Sequence, residues 1–252
     1  MKNLSLLFAL FAMVWVSAQE KPMYIEVDYV LRMESDAEAI LQQVPERFRA
    51  QAAELVRTEL AQGVTLDYKL KTNGKESYYK LQERIDNSQR SNVIASQIAQ
   101  SDKGGLFKDF TASTYKKEYE VMGQNYLVVD NLEALNWSIS RETENIAGFE
   151  TRKATGVMSD SIQIESWFAP KLSIKDGPDR FWGLPGLILK SVFEVRGMKM
   201  SVTAVNVQVR EEDIKVTAPT KGKQMTMKEF EAEMEAVQER FRKMYEGGVD
   251  RD

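Results

Sequence analysis

The sequence has neither cysteine nor histidine in its 252 residues. Every Ser-His or Cys-His nucleophile, every His- or Cys-ligated zinc site and every disulfide is therefore excluded. Chemistry would have to rest on carboxylates, lysine, tyrosine, serine or an oxygen-ligated metal, which removes most hydrolase mechanisms. No set of residues points to a metal or to any other cofactor, so none is expected. Strong charge of one sign is also missing. A formal net charge of −4 gives no electrostatic case for nucleic acid or for an anionic membrane. Without cross-links, stability has to come from an apolar core, and a chain this long can build one. No repeat of solenoid type is visible.

Long apolar runs are absent except at the start. Lys2 precedes a nearly continuous apolar stretch from Leu4 to Val16, and Val16-Ser17-Ala18 supplies the small residues that a signal peptidase reads. A signal peptide over 1–18, cleaved before Gln19, is the expectation. The run is too short and wrongly flanked to span a bilayer, so no integral membrane segment is expected in the mature chain. Gln19 rather than cysteine at the new terminus argues against a lipid anchor there. The exported protein, periplasmic or secreted, would be a single β-rich domain over 19–252.

Beyond the leader, the dominant pattern has period two. Ile25, Val27, Tyr29 and Leu31 alternate with Glu26, Asp28 and Arg32, which predicts a half-buried strand over Met23–Met33. Asp36–Gln62 reads as helical, broken near Pro45 and ended by Gly63. Val64–Lys71 and Glu76–Glu83 flank Asn73-Gly74, a strong hairpin signal. From Asp86 to Gly105 the pattern dissolves into a loop with one or two helical turns. Short strands are predicted at Thr114–Val121, Gln124–Asp130, Trp137–Arg141, Phe149–Met158, Ser161–Ala169, Leu187–Val195 and Met198–Val209, with another at Ile214–Ala218. Thr226 and Glu229 form a capping-box pattern, and Phe230, Met234, Val237 and Phe241 make one apolar stripe of a closing helix. Gly247-Gly248 stops it.

Glycine and proline are scarce, at 14 and 6 residues, yet Gly177, Pro178, Gly183, Pro185 and Gly186 fall within ten positions. The run ends in Leu187-Ile188-Leu189. Backbone shape is being dictated here, and the physical reading is a rigid corner feeding a buried strand.

Trp137-Ser138-Ile139, Ile146-Ala147-Gly148-Phe149, Lys153-Ala154-Thr155, Trp167-Phe168, Gly177-Pro178 and Phe181-Trp182-Gly183-Leu184-Pro185-Gly186-Leu187-Ile188-Leu189 form an ordered series. In that order they resemble the GLPGLI family, exported proteins of Gram-negative bacteria named for the hexapeptide at 183–188. The resemblance implies address and kin, with no biochemical activity and no catalytic residues attached. Members often carry a cysteine where this chain has Thr151, so no thiol function transfers.

Three groups are candidate sites. Trp167, Phe168, Phe181 and Trp182 could wall an apolar groove or anchor a partner; the ordinary alternative is that they fill the core. Asp176, Asp179 and Arg180, beside Lys175, could divide acid and base roles, or could simply cap turns. Met198, Met200, Met225, Met227 and Met234 invite a Cu(I) reading, against which methionine is an ordinary core filler.

The fold expected is α+β and mainly β: a curved, partly closed, half-barrel-like antiparallel sheet, with one or two helices packed against it and an apolar concavity inside. The function expected is that of a non-enzymatic exported protein of the cell envelope, binding an apolar ligand or an outer-membrane partner. A structural accessory docking on a membrane transporter and a carboxylate-based glycan hydrolase are the alternatives.

Overall fold

The computed structural model describes residues 23–42, 44–82, 92–102, 104–158, 162–195 and 197–246. The expected leader, the start of the strand expected at Ser161–Ala169 and the Gly247-Gly248 stop lie outside the described residues.

Strand β1 (Tyr24–Ser35) buries every second side chain from Ile25 to Met33, as its alternation requires. Helix α1 (Ala37–Leu41) starts on Asp36, whose carboxylate accepts the Glu38 N–H at 3.0 Å. Pro45 separates it from α2 (Glu46–Gln62). The hairpin β2 (Val64–Thr72) and β3 (Glu76–Leu81) turns at Asn73-Gly74, where the Asn73 side-chain carbonyl oxygen accepts the Lys75 and Glu76 N–H groups. Helix α3 (Val93–Ser101) replaces part of the expected loop. Its first turn is capped by Asn92 and by Glu59 of α2, whose carboxylate accepts the Val93 N–H.

Strand β4 (Leu106–Asp109) is not predicted by the sequence pattern, because four residues are too few to show a period. After it come β5 (Thr114–Val121), β6 (Gln124–Asn131), β7 (Ser138–Ile146), β8 (Phe149–Met158), β9 (Ile162–Ala169), β10 (Leu187–Val195) and β11 (Met198–Arg210). Residues 214–218 form no strand; the chain runs on to β12 (Lys223–Met225) and α4 (Met227–Glu246). The capping box at the head of α4 is reciprocal. The Glu229 N–H reaches Thr226 Oγ1 at 3.3 Å, and Glu229 Oε2 accepts the Thr226 N–H at 2.7 Å.

Among the described residues, twelve strands form one sheet in the order β12-β6-β5-β4-β3-β2-β1-β11-β10-β9-β8-β7. The expected half-barrel-like, partly closed antiparallel sheet is thereby corrected to an open, mixed one. The sheet ends at β12 on one side and β7 on the other, and β12 runs parallel to β6. Hairpins fix only which neighbours are antiparallel. Two long-range events decide the rest: β11 pairs with β1 over almost its whole length, and the segment after β11 returns to the far edge. The sheet grows outward from the β1–β11 pair instead of curling to meet itself.

One face carries the main core, including Ile25, Tyr29, Leu70, Leu106, Val128, Leu187 and Leu189. Residues of α3 and the first turn of α4 pack on it, the latter through Phe230 stacked 4.4 Å from Tyr119. The apolar concavity expected there is filled. Leu172 and Ile174, from the connector between β9 and β10, belong to the same core. A second cluster of Ala154, Ile164, Phe168, Phe181, Leu184 and Ile188 lies farther along the same face at β8–β10, since the pairings of Ala154 with Ser166, Ser166 with Ser191, Ser191 with Val202 and Val202 with Leu31 carry the inward side of β1 across.

Candidate functional site

The β9–β10 connector contains the glycine–proline run, and its path is set by backbone bonds to both ends of itself. The Leu187 N–H donates to Leu172 O at 2.9 Å, Ile188 N–H to Asp176 O at 2.8 Å and Gly183 N–H to Lys175 O at 3.2 Å. Gly186 sits at φ +152°, and a Cβ there would collide with the Ala169 carbonyl. A Cβ on Gly177 would come within 2.7 Å of Ile188 Cβ. These glycines are required by close approach of the chain to itself, which is a structural duty.

The connector is pinned to the sheet by a side chain outside every candidate group of the sequence. Lys108 of β4 is wholly buried, and its ammonium makes three bonds: to Gly177 O at 2.7 Å, to Asp179 O at 2.7 Å and to Asp176 Oδ1 at 2.5 Å. An ammonium has three N–H donors, so Lys108 is satisfied. Asp176 Oδ1 also accepts the Gly177 N–H at 2.7 Å, while Oδ2 has no partner among the described residues. On the β1 side, the Tyr29 hydroxyl donates to Ile188 O at 2.6 Å. Burial, and then the Asp176 charge, push the Tyr29 phenol well above its ordinary pKa. No local signal singles out Lys108, because β4 is too short to show a period and the adjacent Phe107 is apolar and buried as well.

A polar network borders this pin. Asp102, just after α3, accepts from Tyr68 at 2.8 Å and pairs with Lys117 of β5 at 2.8 Å. Arg180 lies over the Tyr115 ring at 5.7 Å. Burial pushes Tyr115 up to about 12 even though Arg180 opposes it. Burial works against the charge on Lys117, but Tyr119 and Asp102 more than offset it and raise its pKa.

The predicted aromatics separate. Phe168 and Phe181 are 1 % exposed and belong to the second cluster, which is the core-filling reading. Trp167 is half-buried on the opposite face, with Lys190 4.4 Å and Lys153 5.4 Å from its ring centre. Trp182 lines a cleft of about 360 Å³ together with Gly74, Phe110, Ser173, Ile174 and Lys175. Three turns build this cleft: the β2–β3 tip, the residue after β4 and the connector. The rings of Phe110 and Trp182 lie 5.5 Å apart at 37°. Trp182 is held at both ends, since its indole N–H donates to Glu133 O and its carbonyl accepts the Trp137 indole N–H, both at 2.8 Å. A half-exposed tryptophan locked in one orientation suits a ligand surface better than a core.

Of the structural motif residues, Pro178, Leu184, Leu187 and Ile188 are buried, and Gly183 and Pro185 lie exposed at the corner's outer side. Asp176 and Asp179 do not share an open cleft: Asp176 is sealed in its ion pair, and Asp179 gives its carbonyl to Lys108. Thr151 is buried and donates to Glu144 O at 2.7 Å. Met198 and Met200 lie on β11, with six strands between them and the Met225, Met227 and Met234 group at the β12 edge. Among the described residues no cluster of three or more Asp or Glu side chains could hold a metal ion, and no helix is long and apolar enough to cross a membrane.

A family model described as a protein of unknown function (Porph_ging) matches residues 156–190, the stretch that includes the connector. No curated protein matches the chain. Among solved structures, PNGF-II is similar at 16 % identity and a TM-score of 0.52, over 83 % of this chain and 32 % of that one. The chain thus spans about a third of the PNGF-II chain, and the likeness is one of fold alone. An uncharacterized conserved protein from Thermus thermophilus gives 7 % identity and a TM-score of 0.35, over 79 % of this chain and 90 % of that one. A domain assigned to outer membrane lipoprotein sorting, from Vibrio parahaemolyticus, gives 9 % identity and 0.24, over 74 % and 85 %.

Proposed function

We propose that this chain is an exported, non-enzymatic binding protein of the bacterial cell envelope, of the GLPGLI kind, and that it takes an apolar ligand in the Phe110–Trp182 cleft. The leader-like start of the sequence supports the address. The absence of histidine and cysteine, and the sealing of Asp176 against Lys108, support binding rather than catalysis. The observation that carries the reading is the locked Trp182 ring beside Phe110 at the wall of an open cleft. Clefts of this volume lie within the range used for small ligands. The ligand sits outside the core, because the connector occupies the inner face.

The test is titration of the full chain with anilinonaphthalene sulfonate, followed by dye fluorescence. Saturable binding is expected, weakened about tenfold in Phe110→Ala and in Trp182→Ala, as for truncation of a central aromatic contact. Near-ultraviolet circular dichroism of each variant checks that the fold is retained. Equal binding by both folded variants would place the dye elsewhere and defeat the assignment.

A further inference from the structure

The rim of the Phe110–Trp182 cleft carries free positive charge, in a chain whose formal net charge is −4. Lys175 lines the cleft, Lys75 follows the lining Gly74, and both side chains are exposed. Among the described residues neither ammonium has a partner. The neighbouring carboxylates are spent or turned away, and among the described residues none lines the cleft. Asp176, the residue after Lys175, is held by Lys108. Glu76 and Asp109 stand opposite each other on β3 and β4, next to the Ser77 and Lys108 pair. Alternation therefore puts both acids on the face of the sheet away from Lys108 and the connector that it holds. Asp109 is occupied as well, since its Oδ1 accepts the Thr111 and Ala112 N–H groups at 2.9 and 2.8 Å. The wall between the lysines is aromatic and rigid. Phe110 and Trp182 lie 5.5 Å apart at 37°, and the Trp182 indole N–H is fixed on Glu133 O.

We infer that the cleft takes a small aromatic anion, one or two fused rings bearing a carboxylate or sulfonate. The rings lie against Trp182 and Phe110, where offset and edge contacts to a fixed plate are favourable. The acid group lies toward Lys175, with Lys75 adding to the same positive rim and the lining Ser173 hydroxyl available as a donor. The inference rests on the cleft being the binding site. An aliphatic anion fits less well, because a flexible tail needs an enclosed apolar space, and Leu172, Ile174, Leu187 and Leu189 fill that space here. A sugar fits less well, because Ser173 and Lys175 supply the polar side chains of the lining and the Trp182 indole N–H is already given to Glu133 O. An aromatic cation is disfavoured by the two unpaired lysines.

The probes are naphthoate, naphthylmethanol and naphthylmethylammonium, substituted at the same ring position so that they differ in charge, with octanoate as an aliphatic anion. Each is titrated into the full chain at low salt under two-dimensional amide NMR. Naphthoate should move the Gly74, Ser173 and Lys175 amide signals and the Trp182 indole signal together. It should bind about twofold to fivefold more tightly than the alcohol, as an exposed charge pair allows, and more tightly again than the ammonium or octanoate. Added salt should shrink the preference over the alcohol. Lys175→Gln, an exposed change, should bring naphthoate down toward the alcohol and leave the alcohol unchanged. Equal affinity for the three naphthalenes, octanoate binding as well as naphthoate, or a preference untouched by Lys175→Gln overturns the inference. Any of these results, with anilinonaphthalene sulfonate still shifting Trp182, leaves the cleft as a ligand site. Silence of the dye and of every probe at the cleft removes both readings.

Discussion

Replacing Lys108 by methionine should be among the most damaging single changes in this chain. The ammonium is wholly buried and bonds Asp176 Oδ1, Gly177 O and Asp179 O, so its loss strands a buried carboxylate and two carbonyls. Breaking one partner of a buried pair costs about 3–5 kcal/mol, which is a large part of the roughly 5–15 kcal/mol that holds a typical domain folded. With a urea slope of about 2–3 kcal/mol per molar for a chain of this size, the unfolding midpoint should fall by about 1–2 M. Lys108→Met combined with Asp176→Asn removes both charges, and the introduced amide would keep an acceptor for the Gly177 N–H. The double variant should therefore lose less than the sum of the two singles, with a coupling of at least about 1 kcal/mol. Urea unfolding at neutral pH, followed by tryptophan fluorescence on all four proteins, measures this. A single-variant loss below about 1 kcal/mol, or strict additivity, would refute the view that Lys108 pins the connector.

Gly186→Val should impair folding before it impairs binding. The φ of +152° alone costs a side chain about 1–3 kcal/mol, and the collision with the Ala169 carbonyl adds to it. A well-folded Gly186→Val protein that had lost only dye binding would show that the corner itself is a ligand surface. Stability should also fall at alkaline pH. Burial raises the pKa of Tyr29, Tyr68, Tyr79 and Tyr119, and pushes Tyr115 up to about 12. The unfolded chain loses its phenol protons near pH 10 while the folded chain keeps them, so stability is full below about pH 10 and declines as the pH climbs through about 12. Lys117, raised as well, acts in the same direction. Phenolate absorbance and far-ultraviolet circular dichroism should change together; phenolate forming near pH 10 in a still-folded protein would contradict the burial argument.

Much of the fold was legible because alternation is a local signal. Ile25 to Met33 and Val64 to Leu70 became strands with the inward faces their apolar residues specify, and Phe149 to Met158 became a strand whose buried positions are Thr151, Ala154 and Gly156. The Asn73-Gly74 hairpin and the Thr226–Glu229 cap followed from turn and cap chemistry that needs no partner. The illegible parts were long-range. Nothing in Met198–Arg210 announces that its other neighbour is β1, and nothing in Lys223–Met225 announces a parallel partner on β6. The site divided the same way. The corner glycines were visible as a motif, and their structural duty could be argued from composition. That Phe181 goes inward while Trp182 walls a cleft with the distant Phe110 depends on where the connector crosses the sheet. Lys108 shows the limit most clearly. Its strand is too short to mark it as inward, and only the carbonyls of a loop 69 and 71 residues away explain how the charge is tolerated.

The connector's Leu172 and Ile174 sit in the core on the inner face of the sheet, and the ligand proposed for this protein would sit in the Phe110–Trp182 cleft. Amide NMR of the full chain, titrated with anilinonaphthalene sulfonate, tests this most directly. Shifts are expected at Gly74, Phe110, Ser173 to Lys175 and Trp182, with Tyr29, Tyr79, Leu106 and Leu187 unmoved. Shifts centred on those four inner residues would mean that the ligand enters the core, and would contradict it.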